Sequence, residues 1–202
     1  MARYIGPKQK LQRAMGEDLG LKTNAVKVAR RIGVLPGQQG AKGRRKISDY
    51  GMQLKEKQKL RIIYGVMEKQ MLRYYETATK TPASTGAALL KLLERRLDNV
   101  VFRLGFAPTR ASARQLVAHN HVLVNGKKVN IASFSVRVGD VVSLKDSALR
   151  IPAVDAIIKD KHTALVGWLD RQATSGKVAR FPERDELDIV INEQLIVEYY
   201  SR

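Results

Sequence analysis

The sequence predicts an α+β protein with three parts: an extended basic N-terminal segment, an all-helical domain, and a helix pair backed by a small antiparallel sheet. Three observations carry this. Glycine and basic residues dominate the first 46 positions, where apolar residues are sparse. Apolar residues then recur at three- and four-residue steps, the period of a helix with one buried face. Past residue 121 the period drops to two, around an Asn-Gly pair that favours a tight hairpin.

Within residues 1–46, Gly6-Pro7 breaks the start, and Leu35 to Lys46 is a Gly-rich basic loop. One short helix is expected near Asn24 to Ile32, with Val26, Ala29 and Ile32 on its apolar side. Residues 51–76 contain no proline, and Gly65 interrupts them. Leu54, Gln58, Ile62, Val66 or Met67, and Leu72 then predict a long helix with Lys and Arg outward, Arg61 and Arg73 among them. Thr79 to Gly86 reads as a linker and helix start. A further helix is predicted through Leu89, Leu90, Leu93, Leu97, Val100, Val101 and Leu104, with Gly105 just past its end. Thr109 is a suitable N-cap for the next helix, whose Ala113, Leu116 and Val117 form an apolar side. Arg110 and Arg114 stand one turn apart and share a face. Val122 to Val124, Asn125-Gly126, and Lys127 to Val129 read as strand, type I′ turn and strand. Val138-Gly139-Asp140 turns into a third strand over Val141 to Leu144. Ala153 to Ile158, Thr163 to Leu169 and Leu195 to Tyr200 are short segments of weak type.

Charge narrows the partner. The 202 residues carry 37 Lys and Arg against 19 Asp and Glu, a net charge of +18. By count, residues 1–50 are net +9, 51–86 net +4, 87–150 net +7 and 151–202 net −2. Such a gradient fits a protein with one face toward a polyanion, most commonly nucleic acid. No apolar run of about 18 residues occurs, so no membrane span is expected, and Met1 to Lys10 lack the apolar core of a signal peptide. With no cysteine, disulfides, cysteine zinc sites and thiol catalysis are excluded.

Arg95-Arg96-Leu97-Asp98-Asn99-Val100-Val101-Phe102-Arg103-Leu104-Gly105-Phe106, then Thr109 to Val117 and Val122 to Ile131, resembles the S-four RNA-binding module. The strings Ala2 to Pro7, Pro36 to Gly40, Ile47 to Gly51, Leu54 to Lys59 and Asn192 to Glu198 extend the likeness over nearly the whole chain. Together they resemble the bacterial-type small ribosomal subunit protein four family. The resemblance implies an inserted module at 93–175, a helical domain at 47–92 completed by 176–202, and an extended segment at 1–46. It implies a non-enzymatic structural protein that binds the 5′ domain of small-subunit rRNA early in assembly. It also implies a place where mRNA enters, beside neighbouring small-subunit proteins, with a part in translational accuracy. No cofactor, membrane or small-molecule substrate is expected. The location implied is the cytoplasmic ribosome, with an organellar ribosome left open. Some members hold zinc through N-terminal cysteines, which this chain lacks.

On this reading Arg95, Arg96, Arg103, Arg110 and Arg114 bring guanidinium forks to phosphate oxygens. Thr109, Gln115, His119, Asn125, Gly126, Lys127 and Lys128 complete the module's RNA face. Arg3, Tyr4, Lys8, Lys10 and Arg13 are expected to order on rRNA, with Tyr4 stacking, and Arg61 and Arg73 are expected as further RNA contacts. Lys42, Arg44, Arg45 and Lys46 would face mRNA, while Gly37, Gly40 and Gly43 let the backbone approach phosphate. Neutralising about eight phosphates would give a log K against log salt slope of roughly −6 to −7.

His119 and His121 lack a third ligand, so no metal site is expected. Arg96-Leu97-Asp98 matches a string used catalytically by some pseudouridine synthases, but it lies within the module's helix, so a surface or ion-pairing role is expected for Asp98. Helix-turn-helix DNA binding is disfavoured by the hairpin directly after the second helix. Trp168, Tyr199 and Tyr200 read as packing or protein-interface residues.

Overall fold

The structure, a computed structural model, describes residues 3–43, 46–159, 166–187 and 190–202. The chain divides into two compact units, Met1–Leu89 with Ile189–Arg202, and Leu90–Asp188.

The first unit begins with a helix that the sparse apolar residues do not announce. Helix α1 (Lys8–Met15) ends at Gly16 in the left-handed region, and its buried residue is the amide Gln12, which donates to Asp18 at 2.6 Å. Helix α2 (Ala25–Ala29) is capped by Asn24, whose side chain accepts from the Lys27 N–H. Its apolar side differs from the expected one, since Val28 is 5% exposed and Val26 79%. Ser48 then caps α3 (Asp49–Ile63). The predicted long helix is in fact two. The Val66 and Gly65 N–H groups donate back to Arg61 and Ile62 carbonyls, closing α3 with Gly65 at φ 61°, and α4 (Glu68–Thr79) starts afresh. After this break the register changes, so Val66 is buried while Met67 and Leu72 are exposed.

The apolar run through Leu89 and Leu104 is likewise split, into α5 (Thr85–Glu94) and α6 (Leu97–Arg103). Between them Arg96 is extended and bridges Ser135, while Leu97 donates to the Phe134 carbonyl. A contact distant in sequence thus outweighs the helical period. Gly105 ends α6 as expected, at φ 68°.

In the second unit α7 (Arg110–Ala118) starts at Thr109, whose hydroxyl accepts from the Ser112 N–H at 3.2 Å. Strands β1 (Val122–Val124) and β2 (Lys127–Lys128) flank Asn125 and Gly126, both at positive φ (50° and 76°), as a type I′ turn requires. Strand β3 (Val141–Leu144) pairs with β1, and α8 (Asp146–Leu149) and α9 (Pro152–Lys159) follow. A second hairpin, β4 (Leu169–Gln172) and β5 (Ser175–Val178), completes an antiparallel sheet of order β2-β1-β3-β5-β4. The expected segment Thr163 to Leu169 lies outside the described residues up to residue 165. Leu97, Val100, Val117, Val122, Val142 and Trp168 are central to the core that α6, α7 and the sheet enclose. A Cβ on Gly176 would lie 2.3 Å from Leu104 Cδ2, so a larger residue there would force the buried Leu104 side chain to shift. This hairpin corrects an expected boundary. Residues 176–187 belong with the module, because β5 pairs with β3, and only the chain's last residues return to the first unit.

There α10 (Glu193–Tyr200), capped by Asn192, packs its buried Ile196 against the helical unit. Gln53 of α3 donates to Glu198 at 3.0 Å, and Tyr200 stacks on Tyr75 of α4 with centroids 4.7 Å apart.

Candidate nucleic-acid interface

By count the first unit holds 20 basic and 8 acidic side chains and the second 17 and 11, net +12 and +6. How these cations are held differs from the expected exposed faces.

In the second unit, Arg96 is 2% exposed and gives both edges of a fork to Asp98, at 3.1 and 2.8 Å. It stands in the core as an ion pair, where the sequence reading expected an exposed guanidinium. Asp98 itself is buried, so its role is the ion-pairing one, not a surface one. Glu94, wholly buried, accepts two bonds from Arg103 (3.2 and 3.1 Å) and one from Asn99 at 2.6 Å. Arg103, expected at phosphate, is therefore committed to a carboxylate. Arg110 donates from Nε to Asn99 Oδ1 at 2.8 Å and lies over the Phe102 ring, 4.5 Å from its centroid. Arg114 Nη1 stands 4.0 Å from Asp98 Oδ2. Arg95 donates to the Val136 carbonyl and covers the Phe181 ring at 4.5 Å. The outcome is a set of guanidiniums held against carboxylates and rings and largely covered, Arg110 and Arg114 keeping a small exposed part.

In the same unit Gln115, His119, Gly126, Lys127 and Lys128 are exposed. Asn125 is exposed too, yet its amide is used within the fold. Its Oδ1 accepts from the Val141 N–H at 2.9 Å and its Nδ2 donates to Asp140 at 2.8 Å. Asn125 therefore fixes the hairpin from an exposed position. Thr109 serves mainly as the α7 cap. The His119 and His121 rings are 6.4 Å apart, and no group of three metal-ligating side chains occurs among the described residues.

In the first unit Arg3, Tyr4, Lys10, Lys42, Lys46 and Arg73 are exposed. Lys8 is half-buried, and burial first, then Lys22 and Arg3 nearby, hold its ammonium below the ordinary lysine range. Arg13, expected in an unattached arm, instead ties α1 to the following loop through the Val34 and Leu35 carbonyls, at 2.8 and 2.9 Å. Arg61 is drawn toward Glu68, 3.9 Å away. Arg44 and Arg45 lie outside the described residues. Gly37 and Gly43 adopt positive φ with open space around them, but a Cβ on Gly40 would strike the Leu35 carbonyl, so Gly40 serves the chain's own turn.

Sequence reasoning missed several structural cations. Lys57, expected outward, is buried between Glu68 (2.8 Å) and the Tyr199 ring (4.4 Å), and Lys59 is buried against Glu17. Tyr200 donates to Glu68 at 3.0 Å, and burial beside that carboxylate raises its phenol. Acidic residues standing inside basic strings, such as Glu94 and Asp98, were the available signal. Among the described residues no helix is long and apolar enough to cross a membrane.

Comparison with known proteins matches residues 3–94 to the family described as ribosomal protein S4/S9 N-terminal domain and residues 95–142 to the S4 domain. Proteins described as small ribosomal subunit protein uS4 are similar over their full length. The one from Herpetosiphon aurantiacus is 53% identical over 211 residues, that from Neisseria gonorrhoeae 50% over 207, and that from Kosmotoga olearia 49% over 210. Each alignment covers 100% of both chains.

Proposed function

The chain belongs to the small ribosomal subunit protein uS4 family, and from that premise we propose that it anchors the 5′ domain of small-subunit rRNA early in assembly. The family is structural and non-catalytic, and its members are constituents of the small ribosomal subunit in the cytoplasm. The observation that carries the finer reading is the fixed guanidinium set of α6 and α7, in the same unit as the exposed Lys127 and Lys128. A-form RNA hides its base edges, so a rigid array of donors spaced for phosphates and 2′-hydroxyls suits its shape. Arg110, Arg114, Gln115, His119, Lys127 and Lys128 form this contact, with Arg95 at its margin. In the first unit Arg3, Tyr4, Lys8, Lys10 and Arg73 supply a second rRNA contact. Lys42, Arg44, Arg45 and Lys46 face incoming mRNA, beside neighbouring small-subunit proteins, and tune accuracy by their charge.

Nuclease footprinting of small-subunit rRNA, with and without the protein, tests the anchoring role. Protection confined to the 5′ domain, at salt where unrelated RNA is released, is expected. Protection scattered over all domains would sink it. For the mRNA contact, removing the charges at Lys42 and Lys46 should impair initiation on structured messengers while leaving the rRNA footprint unchanged.

A further inference from the structure

We infer that Glu94, Asp98 and Asn99 are positioning residues: buried acidic and amide groups that strengthen the binding of a polyanion by holding arginines in place. The inference rests on the RNA reading above and concerns how its contact is made. By charge alone, a carboxylate inside a phosphate-binding surface should weaken it.

The geometry points the other way. Glu94 closes α5, Asp98 and Asn99 open α6, and Arg110 and Arg114 lie on α7, so two short strings connect three helices. Glu94 orients Asn99 at 2.6 Å, and Asn99 in turn accepts from Arg110 Nε at 2.8 Å. The Phe102 ring supports the flat face of Arg110, while Glu94 Oε1 stands 4.0 Å from its Nη2. Asp98 accepts the Arg96 fork and the Asn99 N–H at 3.0 Å, and is 4.0 Å from Arg114. Arg110 and Arg114 remain 16% and 12% exposed at the side chain. A long side chain fixed beforehand loses less rotamer freedom on meeting phosphate than a mobile one. A guanidinium held in one plane also presents its fork in one direction, which a point charge cannot do. The buried acids thus exchange some attraction for orientation.

Glu94→Gln in the full chain separates the two effects, because it raises net charge and keeps side-chain shape. Affinity would be measured against a 5′-domain rRNA fragment and an unrelated duplex RNA. The expected result is about ten-fold weaker rRNA binding, as for a lost charge-assisted contact, with duplex binding equal or tighter. The side-chain Nε–H signals of Arg103 and Arg110 should exchange faster with water. Equal or tighter rRNA binding, with sheet amides still protected from exchange, would overturn the inference. If Glu94→Gln loses that protection, Phe102→Leu decides, since it removes the Arg110 support without changing charge. It should show the same selective loss, and unchanged rRNA preference would overturn the inference. A wild-type protein that does not prefer the rRNA fragment would instead remove the RNA reading itself.

Discussion

The two units share a mixture of buried and exposed cations but hold the buried ones differently. In the second, Arg96, Arg103 and Arg110 are sunk among Glu94, Asp98, Asn99 and the Phe102 ring and fixed before any partner arrives, while Lys127, Lys128, Arg137, Lys145 and Arg150 stand exposed. In the first, Lys57 and Lys59 are buried as structural cations, while Lys22, Lys27, Arg30, Lys42, Lys69, Arg73 and Lys80 stand exposed. The units also differ in construction. The second is one continuous stretch of chain with its own core, whereas the first is closed only when α10 returns from the far end. Exposed cations, which both units carry, attract any polyanion; the fixed arginines of the second unit add a means to discriminate among them.

The strongest break in this comparison comes from Ile196→Asp. An unpaired charge buried in α10 should cost the first unit about 3–5 kcal/mol. Hydrogen exchange would show fast amides over Leu60 to Tyr64, while Val122 to Val124 and Val141 to Leu144 stay slow. Equal loss in both stretches would deny the separate cores. A smaller effect is expected from Asn125→Ala, which removes two hydrogen bonds and a residue tolerant of positive φ. About 1–2 kcal/mol of stability should go from the second unit alone, read as a lower urea midpoint with the slope unchanged.

Much of the second unit was legible because its signals are local. Asn125-Gly126 can turn only one way, Gly105 stops α6, and Thr109 caps α7. What escaped was set by distant contacts. The break at Arg95-Arg96 exists because Ser135 and Phe134 bond the chain there, and nothing in the apolar period of Leu89 to Leu104 reports it. The β4–β5 hairpin was hidden by a polar string, Leu169 to Gln172, whose pairing depends on β3. The candidate site was legible in composition but not in depth. Arg96 and Arg103 look like phosphate ligands until Asp98 and Glu94 are seen to hold them. Helix α1 was missed since its buried residue is Gln12, and α2 was turned to the wrong face by Val26.

The division of labour within the second unit can be measured directly, as affinity for a 5′-domain rRNA fragment across a salt series. Wild type would be compared with Lys127→Ala/Lys128→Ala and with Arg110→Lys. Loss of the two exposed lysines should flatten the log K against log salt slope by roughly 1.5 to 2 and leave preference over unrelated RNA intact. Arg110→Lys keeps the charge, so the slope should hold while that preference falls by about ten-fold. The same change in slope for both variants, or full preference in Arg110→Lys, would contradict the account.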